Sequence, residues 1–578
     1  MKVPDLPYLR YTVEQGKEAL ENFKAVIADA DRAEIYVDAI VGMEEMFCEY
    51  ETAASLANCR FTLNTKDQFY QEEMAYYDEV SPIFSQMYVE YAKIMLACPF
   101  RSELVEKGLI NPRRFDKYEV LIKSFDDCII EEAQIENSIV TEYSKFMAEM
   151  KFDFDGEEMP LSVLRGYLED SDRSVRERAC CAIGRGLEKN AERLDDIYDR
   201  LVKIRDKMAR KMGYKNFVEL GYYRMGRLDF DADDIAKFRE NVVKSIVPIS
   251  SRIKNEIASE LGIDKVMFYD DSVYSSGEAP KPILNQREIF EAAQEMYDDM
   301  DAEVGSFMAS MQEADAFDVE SRDGKWGGGY CTAFEKYKQP FILANFNGTA
   351  SDIDVITHEF GHALAYRFGF ESGDRELSIG GMETAECHSM SMEFFAWKYM
   401  DKFFGDSADK YRIRHLLDAL TFIPYGTAVD EFQHIIYEDP NLTPEQRKGV
   451  WRDLEKKYRP YMSYEGIPYL EQGTRWQYQM HIYESPFYYI DYCLAQTVSI
   501  GFLVELQKDY ISAFARYIDF VRAGGTKPFS VLVGEAGLKS PFDEGALDEL
   551  AESVTLIVEG LKDHGSSEEL DGQFVDVE

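Results

Sequence analysis

The sequence predicts a mainly α-helical fold with one small β-sheet, and three observations carry that prediction. Over most of the 578 residues, Glu, Lys, Ala, Leu and Met recur with apolar positions three and four apart, while Gly and Pro number only 37 and 18. A single stretch, from about Phe317 to Thr349, breaks this texture with three consecutive glycines and a β-favouring run. No internal repeat of fixed period occurs, which argues against a solenoid. The length admits three to four domains or one large helical unit. A composition of 46% hydrophobic, 13% aromatic and 30% charged residues excludes disordered, collagen-like and low-complexity classes.

Along the chain, the opening MKVPDLPYLRYTVEQ carries two prolines and an aspartate where a secretory segment would be apolar, and no 18-residue apolar run follows. Nine cysteines are scattered without a CxxC pair, which suits a reducing compartment. A soluble cytoplasmic protein is therefore expected. The net charge of −44 repels phosphate backbones and anionic lipid, so neither nucleic acid nor membrane is an expected partner.

Helical texture is strongest over Val13 to Ala28, Ala30 to Ala57, Val175 to Met212, Ala232 to Leu261 and Gln286 to Met311. Ser275 to Pro282 (SSGEAPKP) reads as a loop, as does the punctuation at Gly466, Pro468 and Gly473. In the break, Phe341, Leu343 and Asn345 alternate with Ile342, Ala344 and Phe346 as a strand would, after Gly327, Gly328 and Gly329. If that strand is an exposed edge, an extended peptide can add to it through main-chain hydrogen bonds. An ordinary buried hairpin is the competing reading. The acidic end, Gly565 to Glu578, is expected to fray.

Chemistry concentrates just after the strand, in TASDIDVITHEFGHALAYRFG. His358 and His362 are four apart, so on a helix both imidazoles share a face and can point at one Zn²⁺. Glu359, about 100° further round, reaches a water beside that ion. Thr349 with Asp352 reads as a capping box and Gly369 as the terminator. Downstream, SIGGMETAECHSMSMEFFAWKYM offers Glu383, Glu386 and Glu393 on a second helix as a third ligand. Glu386 and Glu393, seven apart, share a face as a ligand and its supporting partner do, but spacing alone does not choose between Glu383 and Glu386. A third cluster, QGTRWQYQMHIYESPFYYIDYCLAQ, holds His481, Tyr483, Tyr488, Tyr489 and Tyr492. Such a stripe is ordinarily core. Tyr488 and Tyr492 are nonetheless four apart, and two phenols on one face can donate to an oxyanion formed when water attacks a carbonyl.

HEFGHAL, followed 23 residues after His362 by AECHSMSME and preceded by PFILANFNGT, resembles the M3 family of zinc oligopeptidases, in particular its oligoendopeptidase F branch. The resemblance is specific over roughly Gly324 to Gln496. It implies that the A-E-x-x-S-x-x-x-E pattern falls on Ala385, Glu386, Ser389 and Glu393, which makes Glu386 the third ligand and Glu383 the lesser candidate, with Cys387 and His388 as packing residues. It further implies one Zn²⁺ per chain, Glu359 as proton acceptor and donor, and His481, Tyr488 and Tyr492 as oxyanion donors. The gap from His481 to the tyrosines departs by about one residue from the family pattern, so Tyr489 can stand in for Tyr488. The implied architecture is a two-lobed helical metallopeptidase with a small sheet beside the active-site helix and a deep channel that admits oligopeptides. Its N-terminal lobe is placed at 1–200 and its catalytic part at 201–578. Two other readings fit the same residues: a metallocarboxypeptidase of related helical fold, with a cation to hold the substrate's terminal carboxylate, and a non-catalytic helical peptide-binding protein.

Overall fold

Where the helical texture predicts long runs, the chain forms helices and breaks them at residues that can cap. The computed structural model describes residues 2–274 and 277–564; Ser275 and Ser276 of the expected loop and the expected tail over 565–578 lie outside the described residues. Val13–Ala28 is helical as predicted, closed at its start by a Thr12–Gln15 capping box, and the next run forms Ala33–Leu63. The stretch from Val175 to Met212 becomes two helices, Arg173–Lys189 and Ala191–Lys211, because Asn190 leaves helical geometry and turns its side-chain amide onto the Gly186 carbonyl at 2.9 Å. Gln286 to Met311 divides at Asp301, which is extended and caps Ala302–Glu313 through the amides of Glu303 and Val304. Ala232 to Leu261 stays continuous through a wide turn at Val242–Ile246, just before Pro248, which has no N–H to give.

Two buried apolar cores result. Leu20, Phe23, Met43, Phe84, Tyr91 and Phe115 belong to one core enclosed by helices from residues 13–124, and the remaining helices share a second, larger one. No helix among the described residues is long and apolar enough to cross a membrane.

The small sheets supply the main corrections to the sequence reading. Strands β1 (Phe152–Phe154) and β2 (Glu157–Met159) make an antiparallel hairpin that the sequence reading missed; its turn places Asp155 and Gly156 at φ 53° and 90°. The second sheet joins β3 (Phe317–Glu320), β4 (Tyr330–Phe334) and β5 (Gln339–Phe346) in the order β3-β5-β4. The run from Phe341 to Phe346 is therefore the central strand, parallel to β3 and antiparallel to β4, and not the exposed edge considered above. Its ladder groups are satisfied on both sides, which leaves β4, entered through Gly327–Gly329, as the edge nearest the histidine motif.

Four helices then build the centre of the larger core: the motif helix Ser351–Ser372, the glutamate helix Met382–Phe395, the long helix Ala408–Glu438 and the tyrosine helix Tyr489–Leu506. The glutamate helix packs against both the motif and tyrosine helices, and the tyrosine helix against the long one. The glutamate and tyrosine helices are buried at nearly every position, as helices covered on all sides are.

Candidate metal centre

The motif helix is set in place at its start by a carboxylate reaching backwards. Asp352 accepts from the amides of Asn347 at 2.9 Å and Gly348 at 2.8 Å, while the Thr349 hydroxyl turns to Asn347 Oδ1. This replaces the expected Thr349–Asp352 box, because Gly348 at φ 80° folds the preceding loop over the helix end. The helix also outruns the expected terminator. It ends at Gly373, φ 73°, while Gly369 lies inside it, where an added Cβ would come within 2.8 Å of the Ser378 Cβ.

Gly361 has a more consequential place. A Cβ there would lie 2.6 Å from the His388 carbonyl oxygen and 2.7 Å from the Ser389 Cα, so the motif and glutamate helices touch backbone to side chain-free backbone at this point. That approach brings Glu386 to the histidines. One donor atom each of His358, His362 and Glu386 lie within 4.8 Å of one another, with Glu386 Oε2 at 3.4 Å from His358 Nε2 and 3.6 Å from His362 Nε2. Glu383, the lesser candidate, faces Arg227 and Asp229 instead. Cys387 and His388 are fully buried; burial pushes the His388 imidazole down to about 3, so it stays neutral among apolar neighbours.

The donor set fits a divalent cation. Two imidazoles and one carboxylate are the N and O ligands of a three-residue zinc site with a position left open, and the site attracts positive charge. Burial pulls His358 down, but Glu386 and Glu393 outweigh it and hold the imidazole well above its ordinary value. Burial pushes Glu386 up, but His362 and His358 hold it well below the carboxylate range. What stabilises a proton between these groups would stabilise a metal ion in the same place.

Behind His358 runs a hydrogen-bonded row. His358 Nδ1 meets Glu393 Oε1 at 2.6 Å, the other oxygen of Glu393 meets His415 Nε2 at 2.7 Å, and the Trp397 indole N–H donates to His415 Nδ1 at 2.9 Å. The sequence reading assigned Glu393 a supporting place but missed His415 and Trp397. No local signal marks them, since His415 comes 53 residues after His362 on the long helix.

Glu359, next to His358 on the motif helix, is buried, with its Oε1 3.9 Å from where a Cβ on Gly329 would sit. Burial raises its carboxyl above the ordinary value against the pull of His358 and His362, which makes it a stronger proton acceptor. Before the tyrosine helix, Phe487 adopts φ 68°, held by Gln433 on its amide and Arg227 on its carbonyl, and this turn launches the helix. The Tyr488 hydroxyl donates to Glu386 Oε1, and the Tyr492 ring lies 4.8 Å from that of Tyr488. Tyr489 is buried between Tyr425 and His481, its ring 5.9 Å from the first and 4.9 Å from the second, and it makes no bond to Glu386. The rings of Tyr488 and Tyr492 are 5.9 and 5.8 Å from His481. Burial and the Glu386 charge push both phenols up, so they are donors at neutral pH. His481 is lowered to about 4 by burial. Tyr425 donates to Gln479 Oε1 at 2.6 Å, which turns the Gln479 amide nitrogen to His481 Nδ1 at 2.9 Å and leaves the Nε2 of a neutral His481 to carry the proton.

Comparison with known proteins agrees in extent. A model described as peptidase family M3 matches residues 166–552, and one described as the peptidase M3 N-terminal domain matches residues 3–125. Oligopeptidase PepF of Bacillus subtilis (strain 168) is 24% identical over 381 residues, covering 63% of this chain and 54% of that protein. The chromosomal oligoendopeptidase F of Lactococcus lactis subsp. cremoris is 23% identical over 227 residues, covering 38% and 37%. The chain thus spans about half the length, or less, of these curated relatives. The solved structure of PZ peptidase A with an inhibitor is 40% identical, covers 96% of this chain and 99% of its own, and superposes with a TM-score of 0.93.

Proposed function

The chain belongs to peptidase family M3, and on that premise we propose a zinc-dependent oligoendopeptidase that hydrolyses internal bonds of short peptides in the cytoplasm. The observation that carries the reading is the convergence of His358, His362 and Glu386 within 4.8 Å, with Glu359 buried beside His358 on the same helix. In this reading the three residues hold one Zn²⁺. Bound there, the ion supplies Lewis acidity to the scissile carbonyl and acidity to an attacking water. Glu359 takes the proton of that water and later delivers it to the leaving amine, work for which a raised carboxyl is suited. His481, Tyr488 and Tyr492 donate to the oxyanion as charge develops on it. The Tyr488–Glu386 bond opens for this, so Tyr488 is displaced from the ligand by the substrate.

The division into an N-terminal lobe over 1–200 and a catalytic part over 201–578 belongs to the same proposal. The separate core within residues 20–118 supports an N-terminal unit. Nucleic acid and membrane play no part in the reading.

The test is cleavage of an internally quenched peptide blocked at both ends, with product masses read before and after chelation. Internal cuts that stop on chelation and return with Zn²⁺ support it. Trimming only of peptides with a free C-terminus would replace it with the carboxypeptidase reading.

A further inference from the structure

Beside the candidate centre lies a cavity of about 550 Å³, bordered among others by Glu393, His415, His481, Tyr492, Phe268 and Arg475. Against the partly buried Arg475 stand the buried Arg205, Arg227, Arg447 and Arg459, each of which meets a carboxylate at 3.0 Å or less. Arg475 does not. Its Nε and Nη1 are shut off from solvent with no partner, and no ion pair to it occurs among the described residues. Its guanidinium is enclosed instead by rings, 4.2 Å from the centroid of Tyr478, 5.0 Å from Tyr425 and 5.7 Å from Phe268. Ring faces offset only part of the cost of burying a cation. Nor can the acidic groups of the cavity serve it, since Asp271 is engaged by Arg459 and Lys254 and Asp418 by Arg414. In a chain of net charge −44, a guanidinium left without an anion on a cavity wall marks a place for one brought by a ligand.

We infer that Arg475 is a carboxylate-binding subsite for the peptide substrate, an inference that rests on the oligopeptidase reading above. The path from it to the centre is a run of rings, Arg475 on Tyr425, Tyr425 5.9 Å from Tyr489 and Tyr489 4.9 Å from His481. An extended peptide advances about 3.3 Å per residue, so this path puts the anchored carboxylate at most about five residues from His481. A guanidinium repels an N-terminal ammonium and accepts either a C-terminal carboxylate or an Asp or Glu side chain, here through Nη2, the nitrogen that is not shut off. Cleavage of the amide forms distinguishes this from a carboxypeptidase cation, which would need a free terminus next to the scissile bond.

The test uses one neutral internally quenched sequence in three forms: free C-terminal acid, C-terminal amide, and amide with a Glu near that end. For the wild-type protein, kcat/KM for at least one carboxylate form should exceed that of the neutral amide by roughly 10–100-fold, mainly through KM. The free acid identifies a terminal carboxylate, and the Glu amide a side chain. In Arg475→Gln the ratio should fall towards one, and in Arg475→Lys part of it should remain. Equal rates on all three forms by the wild type, or an undiminished ratio in Arg475→Gln, overturn the inference. The wild-type ratios and Arg475→Lys decide it even if the Gln form does not fold. If none of the three peptides is cut, it is the oligopeptidase reading that fails.

Discussion

The Trp397 indole N–H donates to His415 Nδ1 across 2.9 Å, which requires a lone pair on that nitrogen and so places the His415 proton on Nε2, against Glu393. Glu393 thereby receives one donor at each oxygen and is held square to His358. His415→Ala or Trp397→Phe should lower metal affinity by about 10–100-fold, read by titrating the apoprotein in a chelator-buffered series. Activity at saturating metal should largely return. Unchanged affinity in both variants would reduce the row to packing.

Glu359→Gln removes the proton acceptor without touching the three donor atoms. Turnover should fall by at least about 10²–10⁴-fold while bound metal per chain stays the same. Near-normal peptidase activity would show that the proton is taken by another group.

The oxyanion side can be apportioned tyrosine by tyrosine. Tyr488→Phe and Tyr492→Phe should each cost about 10²–10³-fold in kcat with a modest change in KM, whereas Tyr489→Phe should stay close to the wild type because the hydroxyl that reaches Glu386 is that of Tyr488. If Tyr489→Phe gives the large loss and Tyr488→Phe the small one, the roles are exchanged.

Away from the centre, Glu136 sits between Arg205 at 2.6 Å and Arg224 at 2.8 Å, clasping three helices. Burial pushes its carboxyl up, but the two guanidiniums hold it down at about 2. Because the folded value lies below the ordinary 4.5, the contribution, of the order of 3 kcal/mol, is complete above about pH 5 and is lost as pH falls towards 2. Glu136→Gln should be destabilised at pH 7 by about 3–5 kcal/mol, and urea midpoints should show the gap to wild type narrowing at acid pH. A gap independent of pH would contradict the assignment.

Gly361→Ala asks whether the helix contact positions Glu386. An added methyl meets the His388 carbonyl oxygen at 2.6 Å, so the helices must part by several tenths of an ångström. Weaker metal binding with little change in peptide KM is expected, measured by chelator competition and steady-state kinetics. Wild-type metal affinity would show that the glutamate helix adjusts freely.

How much of this was legible in the sequence depended on distance along the chain. The shared face of His358 and His362 follows from a helical repeat of 3.6 residues, and so does that of Tyr488 and Tyr492; low Gly and Pro content with three-four periodicity likewise foretold a helical protein. The small sheet was legible as a break in texture, but its strand order was not. Pairing is decided by which neighbours cover which edge, and that put Phe341–Phe346 at the centre and left β4 outside. Capping was misplaced for a similar reason: whether Thr349 or Asp352 satisfies the helix start depends on the path of the loop before it.

What the sequence by itself determined is local: helix periodicity, the i, i+4 pairing of ligating and donating side chains, and the acidic balance of the surface. Spacing left Glu383 and Glu386 open and only the family resemblance chose Glu386, which the tertiary structure brings to the histidines; the tertiary structure alone decided that His415 and Trp397 stand behind Glu393 and that Arg475 lies on a cavity wall without an ion-pair partner among the described residues. Those relations join residues tens to hundreds of positions apart through burial, where each polar group must find a partner or remain conspicuously without one.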